Sequence, residues 1–329
     1  MDAIAVMMPM CNSRLKYFYV IEGDIKSYFD NVHHRKLISL LKRRIADRDI
    51  TTLVVKFLKA GVMEDGLFTK TDTGVPQGGI ISPLLANVYL HELDKWAEAK
   101  WNVSPYQQEI NRTKGYGNFK LIRYADDFVI LSNASIANVK TVQQELQEFL
   151  EKELHLELSA EKTKITHVNE GIKFLGFHIQ GVKYANRWVI HLRPTKESLL
   201  RAKNKIKELT RGQDKILEEY VQLRRLNAIV AGWAEYYKYT SLYRDISGVA
   251  SYTWHRYLLW LCEKHKGVGK RKLVRMKSRV IHNRIRWVAE LQEGEKLYST
   301  YQWMPTRKEF KRQRYPQRGK DGFSHPYLD

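Results

Sequence analysis

Two adjacent aspartates, Asp126 and Asp127, interrupt the run Leu121-Ile-Arg-Tyr-Ala-Asp-Asp-Phe-Val-Ile-Leu131. Apolar, β-favouring residues flank the acids on both sides, which predicts strand, tight turn, strand. Two carboxylates on one turn repel each other. At about 4 Å and an effective dielectric of about 20 the repulsion is about 4 kcal/mol. A divalent cation removes that cost, and hard carboxylate oxygens suit Mg²⁺. Taken alone, the pair could also be an exposed acidic hairpin turn.

The surrounding chain narrows the choice. Its 329 residues allow two or three domains. Lys plus Arg is 56 against 36 Asp plus Glu, a net charge of +20, which points to a polyanionic partner. Leu261–Asp329 holds 18 basic and 7 acidic residues, so about +11 of that charge lies in the last fifth. A merely soluble basic surface is the alternative. Nineteen Tyr and eight Trp are interleaved with the charge, a mix that stacks bases and tracks phosphates. Cys11 and Cys262 have no metal-ligand spacing and suggest no disulfide framework, which fits a reducing compartment. The apolar start, Met1–Met10, lacks the basic region of a signal peptide. No apolar run is long enough to predict a membrane span.

Periodicity organises the rest. Phe18–Ile21 reads as a buried strand that delivers Asp24 at its end. Leu37, Ile38, Leu41 and Ile45 mark one helix; Leu53, Val54, Phe57 and Leu58 mark another. Gly74-Val-Pro-Gln-Gly-Gly79 is a turn-rich loop. Ser82-Pro83 predicts an N-cap with proline in the first helical position. Residues 101–117 read as an irregular surface insertion; Val139, Val142, Leu146, Phe149 and Leu150 mark a helix; Leu154–Leu158 reads as a strand by its alternation, and Gly171–Gln180 as a glycine-bent hairpin. After Pro194 the pattern turns to helices, and an all-helical region is expected.

Asp24 and the Asp126-Asp127 pair lie 102 residues apart. Three carboxylates at one end of a sheet are what two-metal phosphoryl transfer requires. The ordered set Glu22-Gly-Asp-Ile-Lys-Ser-Tyr-Phe-Asp30, Gly74–Leu84, Tyr124-Ala-Asp-Asp127, Glu161-Lys-Thr-Lys-Ile165 and Phe174-Leu-Gly-Phe177 resembles the palm of group II intron reverse transcriptases, the intron-encoded maturases. Gly232-Trp-Ala-Glu-Tyr-Tyr237 resembles, less specifically, the thumb and maturase region of the same family.

The resemblance implies a right-hand polymerase: an α/β (α+β) palm with partial fingers over 1–193, an all-α thumb over 194–262 and a basic RNA-binding maturase domain over 263–329. It implies that Asp24, Asp126 and Asp127, with the Ile25 carbonyl, hold two Mg²⁺ ions, Mn²⁺ being a substitute. Phe29 would sit under the sugar of the incoming dNTP and exclude a 2′-hydroxyl; its alternative is a core Phe. Gln77 and Gly78 would meet the nucleotide, and Lys162 its triphosphate unless it is simply solvated. Arg123 and Tyr124 would support the hairpin and contact primer, and Phe174, Leu175 and Gly176 would grip the primer, though a bulged core strand explains the last three nearly as well. The aromatics Trp233, Tyr236, Tyr237, Tyr239 and Tyr243 read as core or as base-stacking platforms. Lys266, Lys270, Arg271, Lys272, Arg275, Lys277 and Arg279, then Lys311, Arg312 and Arg314, would bind RNA phosphates.

The implied partners are structured intron RNA, an RNA template, a DNA primer and dNTPs, with a DNA target and a homodimer as further options and no membrane. The implied setting is a cytoplasmic, nucleoid-associated bacterial ribonucleoprotein. Only 23 residues precede Asp24, so the earliest fingers blocks, with their basic residues, are expected to be missing. That loss would weaken charge stabilisation of the transferring phosphates. With two cysteines, no Cys/His-rich HNH nuclease is expected. A maturase that only binds and stabilises its RNA therefore stands as the second reading, and an RNA-dependent RNA polymerase, disfavoured by Phe29, as a weaker third.

Overall fold

The apolar runs on either side of the acids form strands and pair with the strand that ends at Asp24. The structure, a computed structural model, describes residues 2–11, 17–59, 62–64, 67–69, 73–76, 79–184, 187–211 and 217–306. The chain divides into two compact units, Met1–Phe174 with Gln180–Ile190, and Leu175–Ile179 with His191–Lys311.

The first unit begins with α1 (Asp2–Met10), β1 (Tyr19–Gly23), a 3₁₀ turn (Tyr28–Asp30), α2 (His34–Lys42) and α3 (Arg48–Lys59). The hairpin β2 (Val62–Glu64) and β3 (Leu67–Thr69) follows, then α4 (Ser82–Trp101), α5 (Pro105–Thr113), β4 (Phe119–Tyr124), β5 (Asp127–Ser132), α6 (Ile136–Leu154) and β6 (Lys164–His167). One antiparallel sheet runs β4-β5-β1-β6. Ile21, Phe128 and Ile130 project from one face of it into a core with Leu37, Leu41, Leu85, Tyr89, Leu93, Leu146 and Leu150 of α2, α4 and α6. Val20, Val129 and Leu131 have the opposite parity and are buried on the other face. Then come β7 (Ile172–Phe174), β8 (Phe177–Tyr184) and β9 (Arg187–Pro194), a sheet in that order.

The second unit holds α7 (Lys196–Leu209), α8 (Glu219–Tyr237), α9 (Tyr243–Lys264), α10 (Lys270–Lys277) and an antiparallel sheet of β10 (Ser278–Ile281), β11 (Arg284–Glu293) and β12 (Lys296–Tyr301). Leu223, Leu226, Val230, Val249, Tyr257, Trp260, Leu273 and Trp287 form its core. Trp287 stacks on Trp254 with ring centroids 4.7 Å apart and donates its indole N–H to the Trp254 carbonyl at 3.0 Å.

The α/β class agrees with the sequence reading, while four local features differ from it. Ser82 is the first residue of α4 and Ile81 its cap; the Ser82 hydroxyl donates instead to the Pro76 carbonyl at 2.6 Å. The expected insertion at 101–117 contains α5, capped by Ser104, whose oxygen accepts from Gln107 N–H at 3.2 Å. Leu154 closes α6, and His155 caps it in the left-handed region, so Leu154–Leu158 makes one isolated bridge, Ile25 to Leu158, rather than a strand. The helical run stops at α10, because His282 and Asn283, both at positive φ, make a tight two-residue turn that starts a β meander.

Candidate active site

Strand register builds the acid cluster. Glu22 pairs with Val129 and Gly23 with Phe128, so the next step brings Asp24 level with Asp127. Parity puts both acids on the face shared with Glu22 and Val129, away from α2, α4 and α6. Asp126 occupies the turn between β4 and β5. The loop before β6 is fastened to the end of β1: the Asp24 carbonyl accepts from Ser159 N–H at 2.8 Å, and Lys26 N–H donates to the Glu157 carbonyl at 3.0 Å. That bridge does not consume the carbonyl of Ile25. It also brings Lys162 to Asp24, with 3.1 Å from Nζ to Oδ2.

The electrostatics match this crowding. Partial burial pushes the Asp127 carboxyl above its ordinary range, Asp126 and Asp24 push it further, and Lys162 pulls it back. As the side chains stand, no three described His, Cys, Asp or Glu residues are gathered closely enough to hold an ion; the Asp24 carboxylate is turned onto Lys162. The donor set nonetheless fits a hard divalent cation: three acids, a repulsion that a cation would relieve, and a backbone carbonyl beside them.

Phe29 lies in the 3₁₀ turn after Asp24, half-buried against the core, its ring 5.5 Å from that of Tyr28. The 74–79 loop docks on this turn: Val75 N–H donates to the Phe29 carbonyl at 2.7 Å and Gly74 N–H to the Val32 carbonyl at 2.8 Å. Gly74 has φ +96, and a Cβ there would lie 2.9 Å from the Asp30 carbonyl oxygen, so the approach needs glycine. The Tyr28 hydroxyl donates to the Ala86 carbonyl of α4. Gln77 and Gly78 lie outside the described residues.

Arg123 and Tyr124 face opposite ways. Tyr124 pairs with Asp127, on the acid face, and is 60% exposed. Arg123 pairs with Phe128, on the α4 face. Its Nε donates to Asp94 Oδ1 at 2.9 Å and its Nη2 to Asp94 Oδ2, while Nη1 reaches Asn87 Oδ1 at 3.0 Å and the Ala125 carbonyl at 2.8 Å. Burial tends to raise the Asp94 carboxyl, but the bonds from Arg123 and His91 outweigh it and hold the group below its ordinary value. Ala125 has φ 55, a left-handed conformation that costs a non-glycine residue about 1–2 kcal/mol. Sequence reasoning missed Asn87, His91 and Asp94. Their i, i+4, i+7 spacing is a polar stripe on one side of a helix, and that signal could have found them.

Phe174 is buried in the first unit. Leu175 and Gly176, both at positive φ, form the tight turn that leads into β8. The Tyr236 hydroxyl donates to the Leu175 carbonyl at 2.9 Å, and the Gly176 carbonyl accepts from Thr195 N–H at 3.0 Å. Phe177 lies against Tyr236 and Tyr237, and Trp233 packs on Tyr237. These tail aromatics brace the turn. Lys266, Lys270, Arg271, Lys272, Arg275 and Arg279 are exposed, whereas Lys277 is paired with Glu219 at 2.9 Å. Lys311, Arg312 and Arg314 lie outside the described residues.

Two family models match the chain. Residues 4–179 match the family described as reverse transcriptase (RNA-dependent DNA polymerase), and residues 199–279 match the group II intron, maturase-specific domain. Protein YkfC of Escherichia coli (strain K12) is 41% identical over 177 residues, covering 49% of this chain and 46% of its own length. Group II intron-encoded protein LtrA of Lactococcus lactis subsp. cremoris is 35% identical over 208 residues, covering 49% of this chain and 35% of its own. The chain thus spans less than half the length of these relatives. A solved telomerase from Candida albicans has a TM-score of 0.41 at 11% identity, covering 83% of this chain and 48% of its own, a likeness too slight to bear on fold or function. On its two domain matches, the chain belongs to the reverse transcriptases and maturases of group II introns.

Proposed function

We propose that this chain is an RNA-directed DNA polymerase dependent on divalent cations, and that it also binds the folded RNA of a group II intron. One observation carries the reading: the register sets Asp24 level with Asp127, one residue from Asp126, on the face of the sheet away from α2, α4 and α6. Asp24, Asp126, Asp127 and the Ile25 carbonyl would hold Mg²⁺, or Mn²⁺ in its place. When bound, two such ions supply charge stabilisation at the attacking and leaving oxygens of phosphoryl transfer.

The chain's own residues would do the rest. Phe29 fills the space beside the sugar 2′ position and so selects dNTPs. Gln77 and Gly78 meet the nucleotide, and the Lys162 ammonium neutralises triphosphate charge. Tyr124, on the acid face, meets the primer terminus, and Phe174, Leu175 and Gly176 grip the primer. In this reading residues 1–193 are fingers and palm, 194–262 thumb, and 263–329 the basic part that binds intron RNA.

A second reading, a maturase that binds RNA without polymerising, rests on the Lys162 ion pair, which satisfies Asp24 with no cation present. Primer extension on an RNA template with dNTPs and Mg²⁺ separates the two. Extension that Asp126→Ala abolishes, with RNA binding retained, is the expected result. No extension by the unaltered chain, with tight and salt-sensitive RNA binding, would overturn the polymerase reading.

A further inference from the structure

Helix α4 touches three motifs of the first unit. Its first residue, Ser82, bonds the Pro76 carbonyl of the 74–79 loop; the Ala86 carbonyl takes the hydroxyl of Tyr28, next to Phe29; and Asn87 and Asp94 take the guanidinium of Arg123. His91 completes the stripe, its Nδ1 3.2 Å from Asp94 Oδ2. Arg123 thus has two commitments on the α4 side and a third, through Nη1, to the carbonyl of Ala125. Ala125 is the left-handed residue immediately before Asp126 and Asp127, so the direction of its peptide sets where both acids point.

We infer that Asp94 and Arg123 are positioning residues for the acid pair: Asp94 fixes the guanidinium fork, the fork fixes the Ala125 carbonyl, and that bond aims Asp126 and Asp127 toward Asp24, on the side of the sheet away from α4. The inference rests on the polymerase reading only for what the acids then do. The competing account is an ion pair that merely fastens α4 to β4.

Two variants separate these accounts. Arg123→Lys keeps the charge but loses the planar fork. The exchange Asp94→Arg with Arg123→Asp restores an ion pair in reverse, yet a carboxylate at position 123 has no proton to donate to Ala125. Amide exchange over residues 119–132 of the intact chain, and Mn²⁺ binding without nucleic acid, read the hairpin directly. We expect both variants to keep a thermal midpoint near that of the unaltered chain. Exchange at residues 125–128 should accelerate at least about tenfold, as a locally loosened segment does. Mn²⁺ half-saturation should rise about tenfold, and nucleotide incorporation should lose at least about tenfold in kcat with dNTP KM within about twofold, as misplaced catalytic groups do.

Exchange and Mn²⁺ binding near the unaltered values in Arg123→Lys, or full recovery of both in the double exchange, would overturn the inference. If neither variant folds, the isosteric Asp94→Asn carries the same test: faster exchange at the turn supports it, and unchanged exchange overturns it. A chain that shows the hairpin effects but incorporates no nucleotide would defeat the polymerase reading and leave this inference standing.

Discussion

Replacing Gly74 with alanine should unseat the turn that holds Phe29. Two effects add. Alanine at φ +96 bears the cost of a positive φ, about 1–2 kcal/mol. Its Cβ would also lie 2.9 Å from the Asp30 carbonyl oxygen and 3.1 Å from both Asp30 Cα and the Phe29 carbonyl oxygen. These are backbone atoms that cannot rotate away, and overpacking of this kind costs about 1–3 kcal/mol. Together about 2–5 kcal/mol should be lost, and the thermal midpoint should fall by about 4–20 °C for a unit of this size. Gly115→Ala is the control: φ is +76 and the space around it is open, so only the conformational cost remains and the fall should be about 2–8 °C. Thermal denaturation of both variants, with incorporation of dNTPs and rNTPs measured in parallel, makes the comparison. Gly74→Ala should also blunt the preference for dNTPs, because the bond from Gly74 N–H to the Val32 carbonyl and that from Val75 N–H to the Phe29 carbonyl are strained together. Equal midpoints for the two variants would refute the reasoning.

Other outcomes follow from the same geometry. The raised Asp127 carboxyl binds its proton more tightly in the folded chain than in the unfolded one. Ionising it therefore costs stability as pH rises from the unfolded value, about 3.9, through the folded one. Without divalent ions, Asp127→Asn should raise the neutral-pH melting temperature by no more than a few degrees, since solvent screens an exposed group; a lower melting temperature would contradict this. Mg²⁺ should raise the melting temperature of the unaltered chain by mass action but not that of the variant. Phe29→Ala should improve rNTP incorporation relative to dNTP by at least about tenfold in competition assays. In RNA binding at varied salt, Arg271→Gln should lower the logarithmic slope by about 1, while Lys277→Gln, whose lysine is held by Glu219, should leave it nearly unchanged.

The acids were legible in the sequence because β-strand alternation is a local signal: residues 121–131 name their own turn, and the apolar run before Asp24 names its partner strand. The clamp behind them was not. Asn87, His91 and Asp94 sit on a helix whose apolar residues dominate the pattern, and polar residues at helical spacing read as solvated until a partner strand is known to lie against them. The register that sends Arg123 to that partner is a property of the folded sheet. The β meander at 278–301 was hidden by its basic residues, which drew attention to charge, although His282-Asn283 is a turn-forming pair. Helix α5 was missed for lack of apolar residues, though Ser104-Pro105 announces its start. At Leu154–Leu158 the reverse occurred: alternation suggested a strand where a helix ends on His155.

Phosphoryl transfer by this chain would require Asp24, Asp126 and Asp127 to act together on a divalent cation. Single-nucleotide incorporation on an RNA template with Mg²⁺, measured for Asp24→Asn, Asp126→Asn and Asp127→Asn separately, tests this directly. Each variant should fold, bind RNA as the unaltered chain does, and lose at least about a hundredfold in rate, as expected when a ligand of the catalytic ions is removed. Incorporation within about tenfold of the unaltered rate by any one of the three would contradict the shared metal site.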